Sequence, residues 1–541
     1  MDRATEIRYE KLSPFQLKNR LIELAKSGIE KRGEVADPLC LNFHLLNAGR
    51  GNPNFLNTTV RRAFNHLLGF AIDLADSLSP LNDVGLTVEK TGIGDKFLAY
   101  LDKSSPDPGV ELLKNSLDYV EKEFKFDRDE FVLEIVDGIN GDHYPTPIRI
   151  FSHTETIANK YLGQALFAGK PPKGQFDLFA TEGGTAAIIY IFQTLKENKL
   201  LHPGDHIALG TPCFSPYIEI PQLNDYQLVE INIEADEDLN WQIPDTELEK
   251  LLDPRIKFFF LTNPSNPTAV SIQSSTLKAI EELVRTKRKD LIIIEDDVYA
   301  TFVDDFHSLA DVCPANTIIV YSFSKYFGVT GWRLGLIAMH EDNVMDQMIH
   351  KLPAKDQEAL IQRYTIETLE PTALKFIDRL IIDSRDVALS HTAGLSGPQQ
   401  VMICLMSLFN LMDSDQKYKK TLQSVIKKRY DYFYDNLGID YKDDPHNTHY
   451  YTTLDLARMA SVKYSEGFST YLTKSFEPVD FLFRLAEQKA TVLLPGIGFE
   501  APRWTIRTSL ANLKDEDYKA CGKNVSDIMQ GYFDEWNAGK K

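Results

Sequence analysis

The chain has 541 residues, more than one hydrophobic core can organise, so two or more domains are expected. Hydrophobic residues make up 43% and charged residues 25%, as in ordinary soluble proteins, while 59 Lys+Arg against 78 Asp+Glu leave a net charge of −19. That acidity repels phosphate backbones and anionic lipids, which argues against nucleic-acid and membrane partners and obliges any anionic substrate to find a local cluster of cations.

Ser13-Pro14 starts a helix over residues 11–32, with Phe15, Leu17, Leu21, Ile22, Leu24 and Ala25 at helical spacing, Lys18 on the same segment, and a stop near Gly28. An extended apolar segment, Leu39 to Leu46, leads into Asn47-Ala48-Gly49-Arg50-Gly51-Asn52-Pro53. Glycine and proline at that density mean a loop whose backbone comes close to something. Residues 59–130 read as mostly helical, interrupted at Thr91-Gly92-Ile93-Gly94 and turned at Pro106 and Pro108. After Gly138-Ile139-Asn140-Gly141 and Tyr144-Pro145-Thr146-Pro147 the pattern changes to alternating strands and helices. FDLFATEGGTAAIIYIF, HIALGTPCFSPY, KFFFLTNPSNPT, LIIIEDDVYATF and TIIVYSFSKYF each run from an apolar strand into a polar loop. Buried strands alternating with helices predict an α/β domain, three-layered, with a mostly parallel doubly wound sheet. Residues 341–390 are charged and helix-rich, broken at Pro353 and Pro371; Ser396-Gly397-Pro398-Gln399 opens a long helix to about Leu411. A smaller α+β pattern follows and ends in RWTIRTSLANL, which holds Arg507. The resulting divisions are 1–58 (first helix and glycine loop), 59–130 (helical insertion), 131–340 (large domain), 341–395 (second insertion) and 396–541 (C-terminal small domain). The cysteines Cys40, Cys213, Cys313, Cys404 and Cys521 have no metal-type spacing, so buried free thiols and no metal site are expected. MDRATEIRYEKLSPFQLK lacks the apolar core of a signal peptide and no run approaches a membrane span, so a cytoplasmic setting is expected.

Ligands in doubly wound sheets bind beyond the carboxyl ends of strands, where all of these polar loops fall. Lys325 ends the run Ile318 to Tyr321 and loses hydration there, which frees its amine as a nucleophile. Ser322, Ser324 and Arg333 beside it offer donors to a phosphate. Gly183, Gly184 and Thr185 join a strand to a helix and expose backbone N–H groups to an anion. Phe214 can stack on a planar ring, Asn266 can donate to a phenolate oxygen, Asp296 can keep a pyridine nitrogen protonated, and Tyr299 can reach the ring's other edge. Taken singly each has a plainer explanation: a solvated lysine, a core aromatic, a helix-capping aspartate. A Schiff-base lysine beside a phosphate cup is what pyridoxal phosphate requires.

In this order and spacing, GGT, the aromatic after Thr-Pro, NPxNPT, DxxY, SxSK and an arginine eight residues after the lysine resemble the aspartate aminotransferase superfamily of fold-type I pyridoxal phosphate enzymes. The resemblance is strong over about residues 140–340 and moderate beyond. It implies that Lys325 bonds the cofactor and carries the Cα proton, and that Asp296 pairs with the pyridine nitrogen. Asn266 and Tyr299 would bind the ring oxygen, and Gly184, Thr185, Ser322, Ser324 and Arg333 the phosphate. Arg507 would grip the substrate α-carboxylate. Tyr144 resembles the tyrosine lent to a neighbouring subunit's phosphate, which implies a homodimer or a larger homo-oligomer, up to a dodecamer. One departure is Ala269, where the family commonly has glycine.

The two helical insertions and the Arg50 loop are similar to the branch of the superfamily that removes the β-carboxylate of aspartate. That likeness implies β-decarboxylation of L-aspartate to L-alanine and CO₂, with side transamination to oxaloacetate and with pyruvate or another 2-oxo acid as co-substrate. A dicarboxylic substrate needs a second cationic anchor, for which Arg50 is the first candidate and Lys18 the second. The competing readings are an aspartate or aromatic aminotransferase without decarboxylase activity and a regulator with an aminotransferase-like sensor. The latter wants a basic DNA-binding module that the first 60 residues lack.

Overall fold

The structure, a computed structural model, describes residues 3–31, 45–81, 83–385, 394–441 and 443–539. Two helices, α1 (Arg3–Glu10) and α2 (Pro14–Lys31), lead to a two-residue strand β1 (Leu46–Asn47). Residues 39–44 of the expected apolar segment, and Cys40 with them, lie outside the described residues. The stop expected near Gly28 does not occur there: α2 runs on to Lys31 with Gly28 buried. A Cβ on Gly28 would lie 2.1 Å from the Glu487 carbonyl oxygen, so this glycine serves a close helix crossing and not a helix end.

Helices α3 (Thr58–Ser77), α4 (Ile93–Lys103), α5 (Pro108–Tyr119) and α6 (Arg128–Asn140) form a helical block. Asn57 and Asp107 cap α3 and α5 with their side chains, and Pro108 occupies the first turn of α5, where its missing N–H costs nothing. The helix Gly397–Met412 packs against α3, α6 and α7 (Ser152–Leu166), and its residues 400–408 are all buried.

The central sheet contains β2 (Phe176–Thr181), β3 (His206–Thr211), β4 (Val229–Glu234), β5 (Ile256–Thr262), β6 (Ile292–Asp296), β7 (Thr317–Ser322) and β8 (Gly335–His340), with α8 (Gly184–Glu197) following β2. Their order is β2-β8-β7-β6-β5-β3-β4. Neighbours from β4 to β7 run parallel, and β8 is antiparallel to both β7 and β2. Every residue of β6, β7 and β8 is buried, as strands covered on both faces must be. Along β7, Ile318 and Val320 pack into one core and Ile319 and Tyr321 into the other, so the side-chain alternation builds three layers.

A second, antiparallel sheet has the order β11-β12-β9, from β9 (Tyr451–Asp455), β11 (Leu494–Pro495) and β12 (Thr505–Ser509). The N-terminal segment joins this part of the molecule: β1 pairs in parallel with β10 (Thr491–Val492), and α2 packs on the helix Pro478–Lys489. Cys213, Cys313, Cys404 and Cys521 are buried and unpaired. No helix among the described residues is long and apolar enough to cross a membrane.

Candidate active site

The carboxyl ends of β5, β6 and β7 open into a cavity of about 260 Å³, closed from the other side by β9, β12 and the loop after β1. Gly184, Thr185, Phe214, Asn266, Asp296, Tyr299, Ser322, Ser324, Lys325, Arg333 and Arg507 all line it. Lys18, Arg50 and Tyr144 do not.

At one end lies a cup of donors. Gly183 holds φ +87°, and a Cβ there would stand 2.7 Å from Arg333 Nη2, so only glycine lets the guanidinium approach the start of α8. No side chain caps α8, which leaves its first N–H groups free for an anion. The Ser322 hydroxyl donates to Ser324 Oγ at 3.0 Å. Arg333 has φ +57° and donates to the Thr330 carbonyl at 2.9 Å.

At the other end Asp296 is buried, and burial pushes its carboxyl up to about 6; the hydrogen bonds from the Tyr217 phenol and, at 3.2 Å, from the Val298 N–H pull the other way. Burial also pushes the Tyr299 phenol well above its ordinary value, so it is a donor at neutral pH. Its oxygen is 2.8 Å from Tyr451 Oη. Lys325 donates to the Gly51 carbonyl at 3.0 Å, and Tyr450 Oη donates to the same oxygen at 3.0 Å. A Cβ on Gly51 would lie 2.4 Å from Tyr451 Oη and 3.3 Å from Lys325 Nζ. The glycine-rich loop therefore does bring its backbone against Lys325.

Arg507 is 1% exposed, donates to Asn266 Oδ1 at 3.2 Å and to the Gly49 carbonyl at 2.8 Å, and faces no carboxylate among the described residues. Its Nε has no partner among the described residues. Burial lowers its affinity for its proton, and the rings of Tyr451 and Phe499 lie 4.5 and 4.9 Å from the guanidinium. A buried cation without an anion is costly, which marks this as a place built for one. Lys18 lies with its ammonium 5.2 Å from the Phe15 ring; burial first, then the charges of Arg50 and Arg507, hold it below its ordinary value. Arg50 is exposed and stands between two residues, Gly49 and Gly51, whose carbonyls hold Arg507 and Lys325. Tyr144 is 68% exposed and is not among the residues that line this chain's own cavity.

Sequence reasoning missed Tyr217, Tyr450, Tyr451 and Thr262. Tyr217 stands three residues after Phe214, on the first turn of the helix Pro216–Leu223, and that spacing could have revealed it. Tyr451 is brought in only by its pairing with Ser509, next to the strand position of Arg507. Ala269, at the glycine position of the motif, adopts φ +64°, so the left-handed turn persists at the strain a Cβ imposes.

A lysine, a buried carboxylate and an uncapped helix start gathered at the strand ends of one α/β sheet fit the amine-reactive, pyridine and phosphate parts of pyridoxal phosphate. Together they define a fold-type I pyridoxal phosphate enzyme. The chain belongs to the aminotransferase class I and II family, whose model matches residues 166–522. It is 44% identical over 97% of its length, and over 97% of theirs, to a bifunctional aspartate aminotransferase and L-aspartate beta-decarboxylase of Pseudomonas sp. A putative aminotransferase of Bacillus subtilis is 26% identical over 39% of this chain and 52% of its own. Among solved structures, the aspartate aminotransferase of Rhizobium meliloti superposes with a TM-score of 0.60 at 14% identity, covering 98% of this chain and 99% of its own. That likeness is one of fold.

Proposed function

We propose that the protein removes the β-carboxylate of L-aspartate, giving L-alanine and CO₂, and transaminates aspartate to oxaloacetate as a side reaction. The observation that carries this is a set of three cations, Lys18 within electrostatic reach of both Arg50 and buried Arg507, beside a lysine-bearing cavity of an otherwise acidic protein. Two anchors suit a dicarboxylic amino acid. The 44% identity over nearly the whole length of a relative that bears both activities in its name supports the same reading.

Bound pyridoxal phosphate supplies the electron sink for bond changes at Cα and Cβ. Gly184, Thr185, Ser322, Ser324 and Arg333 hold its phosphate, Phe214 covers its ring, and Asn266 and Tyr299 donate to its ring oxygen. Asp296 keeps the ring nitrogen protonated, where its negative charge is worth most because the site is dry. Arg507 takes the α-carboxylate in place of its present carbonyl partners. Lys325 moves the proton at Cα. Arg50, with Lys18, recruits the β-carboxylate. A bidentate pair kept throughout would favour the bound anion over neutral CO₂, so an exposed arginine on a glycine-flanked loop suits an anchor that must let go. A proton replaces CO₂ at Cβ, and pyruvate or another 2-oxo acid would serve as co-substrate of the side transamination. Tyr144 serves the phosphate site of a second subunit, so the working unit is a homodimer or larger, in a cytoplasmic setting.

The test is product analysis. Aspartate alone should yield alanine and CO₂ in equal amounts without a stoichiometric 2-oxo acid, and Arg50→Ala should lose decarboxylation more than conversion of the cofactor to its amino form. Release of oxaloacetate only, dependent on added 2-oxo acid, would establish the alternative, an aspartate or aromatic aminotransferase without decarboxylase activity.

A further inference from the structure

Glu295 precedes Asp296 on β6 and faces the opposite side of the strand, away from the cavity. It is 0% exposed. Three donors converge on it: the Asn263 side-chain amide at 2.8 Å, the Leu309 N–H at 2.7 Å and the Ser308 hydroxyl. Burial pushes its carboxyl up to about 7, and these donors oppose the rise. The nearby carboxyl, Asp297, is also buried. Burial, and then the charges of Glu295 and Asp296, push the Asp297 carboxyl well above its ordinary value.

The Asn263 link is the informative one. Asn263 is fully buried and opens the loop that carries Asn266. Its main-chain N–H donates to the Asp296 carbonyl at 2.9 Å, and its Oδ1 accepts from the Ile272 N–H, on the far side of the loop, at 3.0 Å. One amide side chain thus clasps both ends of the turn and is itself oriented by Glu295. Asn266 rides on that turn and accepts from Arg507. Replacing Glu295 by an apolar residue would leave three buried donors unmatched.

We propose that Glu295 is a positioning residue, which through Asn263 sets where Asn266 meets the cofactor ring oxygen and Arg507. This rests on the proposed function for the role of Asn266. A carboxylate is suited to the task because it accepts from all three donors at once; an amide in its place must turn one N–H toward a donor.

The experiment compares holoenzymes of the wild type, Glu295→Gln, Asn266→Ala and the double variant. The pH at which the bound cofactor changes colour and its rate of loss are followed, with thermal unfolding of each apoprotein as the control for folding. Glu295→Gln should shift the colour transition and speed cofactor loss about tenfold, the scale of one lost buried hydrogen bond. Neither effect should appear when Glu295→Gln is added to Asn266→Ala, while its effect on unfolding should persist in both backgrounds. Asn263→Ala cuts the same link from the other side and should behave alike, including where Glu295→Gln folds poorly. A colour shift that survives in the Asn266→Ala background means that Glu295 acts through its charge on Asp296, and overturns the inference. So does a coloured, active enzyme indifferent to both Glu295→Gln and Asn263→Ala. A wild-type protein that takes up no pyridoxal phosphate overturns the proposed function and this inference with it.

Discussion

Lys325 and Asp296 stand on neighbouring strand ends, and each makes a prediction of its own. Borohydride treatment of the holoenzyme should abolish the yellow absorbance and leave the reduced adduct on Lys325 in a peptide map; Lys325→Ala should keep cofactor without covalent attachment and lose turnover. An adduct on another lysine would refute the assignment. For Asp296 the sign follows from a carboxyl raised from 3.8 to about 6 by burial. The native apoprotein binds that proton more tightly than the unfolded chain, so the contribution is full below about pH 4 and is lost as pH rises through about 6. Two pH units correspond to a penalty on the order of 2–3 kcal/mol at neutral pH. Apo Asp296→Asn should therefore melt above the apo wild type at pH 8 and level with it near pH 4, by calorimetry. The same substitution in the holoenzyme should cost about 100-fold or more in turnover, because a charge aimed at the developing electron density is gone.

The loop after β1 is the element that joins two parts of the site. Gly49 and Gly51 lend their carbonyls to Arg507 and Lys325, and Gly51 is packed so closely that a methyl group would meet Tyr451 Oη at 2.4 Å. Tyr451 is 1% exposed and tied to Tyr299, so it has little room to yield. Gly51→Ala should fold, since it adds a single methyl group at a residue that lines the cavity, yet lower kcat/KM at least about tenfold by displacing Lys325 and Tyr299 together. Steady-state kinetics with a parallel melting curve would check this; full activity would show that the loop repacks freely. Glycine density announced this loop in the sequence, but what its backbone touches did not follow, because Lys325 is 274 residues away.

At the scale of the whole molecule, Tyr144 is exposed and does not line its own cavity, and a second subunit would give it the proposed task. Tyr144→Ala and Lys325→Ala proteins should each be nearly inactive, yet regain activity when mixed and allowed to exchange subunits, since a hybrid contains one intact site. Failure of the mixture, with exchange verified by mass spectrometry, would assign Tyr144 a local role. The strong negative charge fits the same scheme: Lys18, Arg50 and Arg507 gather where the surrounding surface offers no competing attraction for a dianion.

The sequence alone determined the strands, the α/β class and the chemical residues at the strand ends. Those follow from local rules: apolar runs bury, glycines open helix starts, and a motif such as NPxNPT or SxSK keeps its order along the chain. It also placed Lys325, Asp296, Asn266 and Arg507 in one family pattern before any distance was known. The tertiary structure decided everything that depends on contacts between distant segments. Gly28 reads as a helix stop until Glu487, far along the chain, is found against it. Tyr451 reads as a core aromatic until β9 pairs with β12 beside Arg507. Glu295 is one more acid beside Asp296 until Asn263, Ser308 and Leu309 converge on it. Even Ala269 departs from its family only in name, because the turn around it, and not the residue, sets its left-handed backbone. Burial and partnership are properties of the packed molecule, and they convert a list of candidate residues into charges, donors and distances.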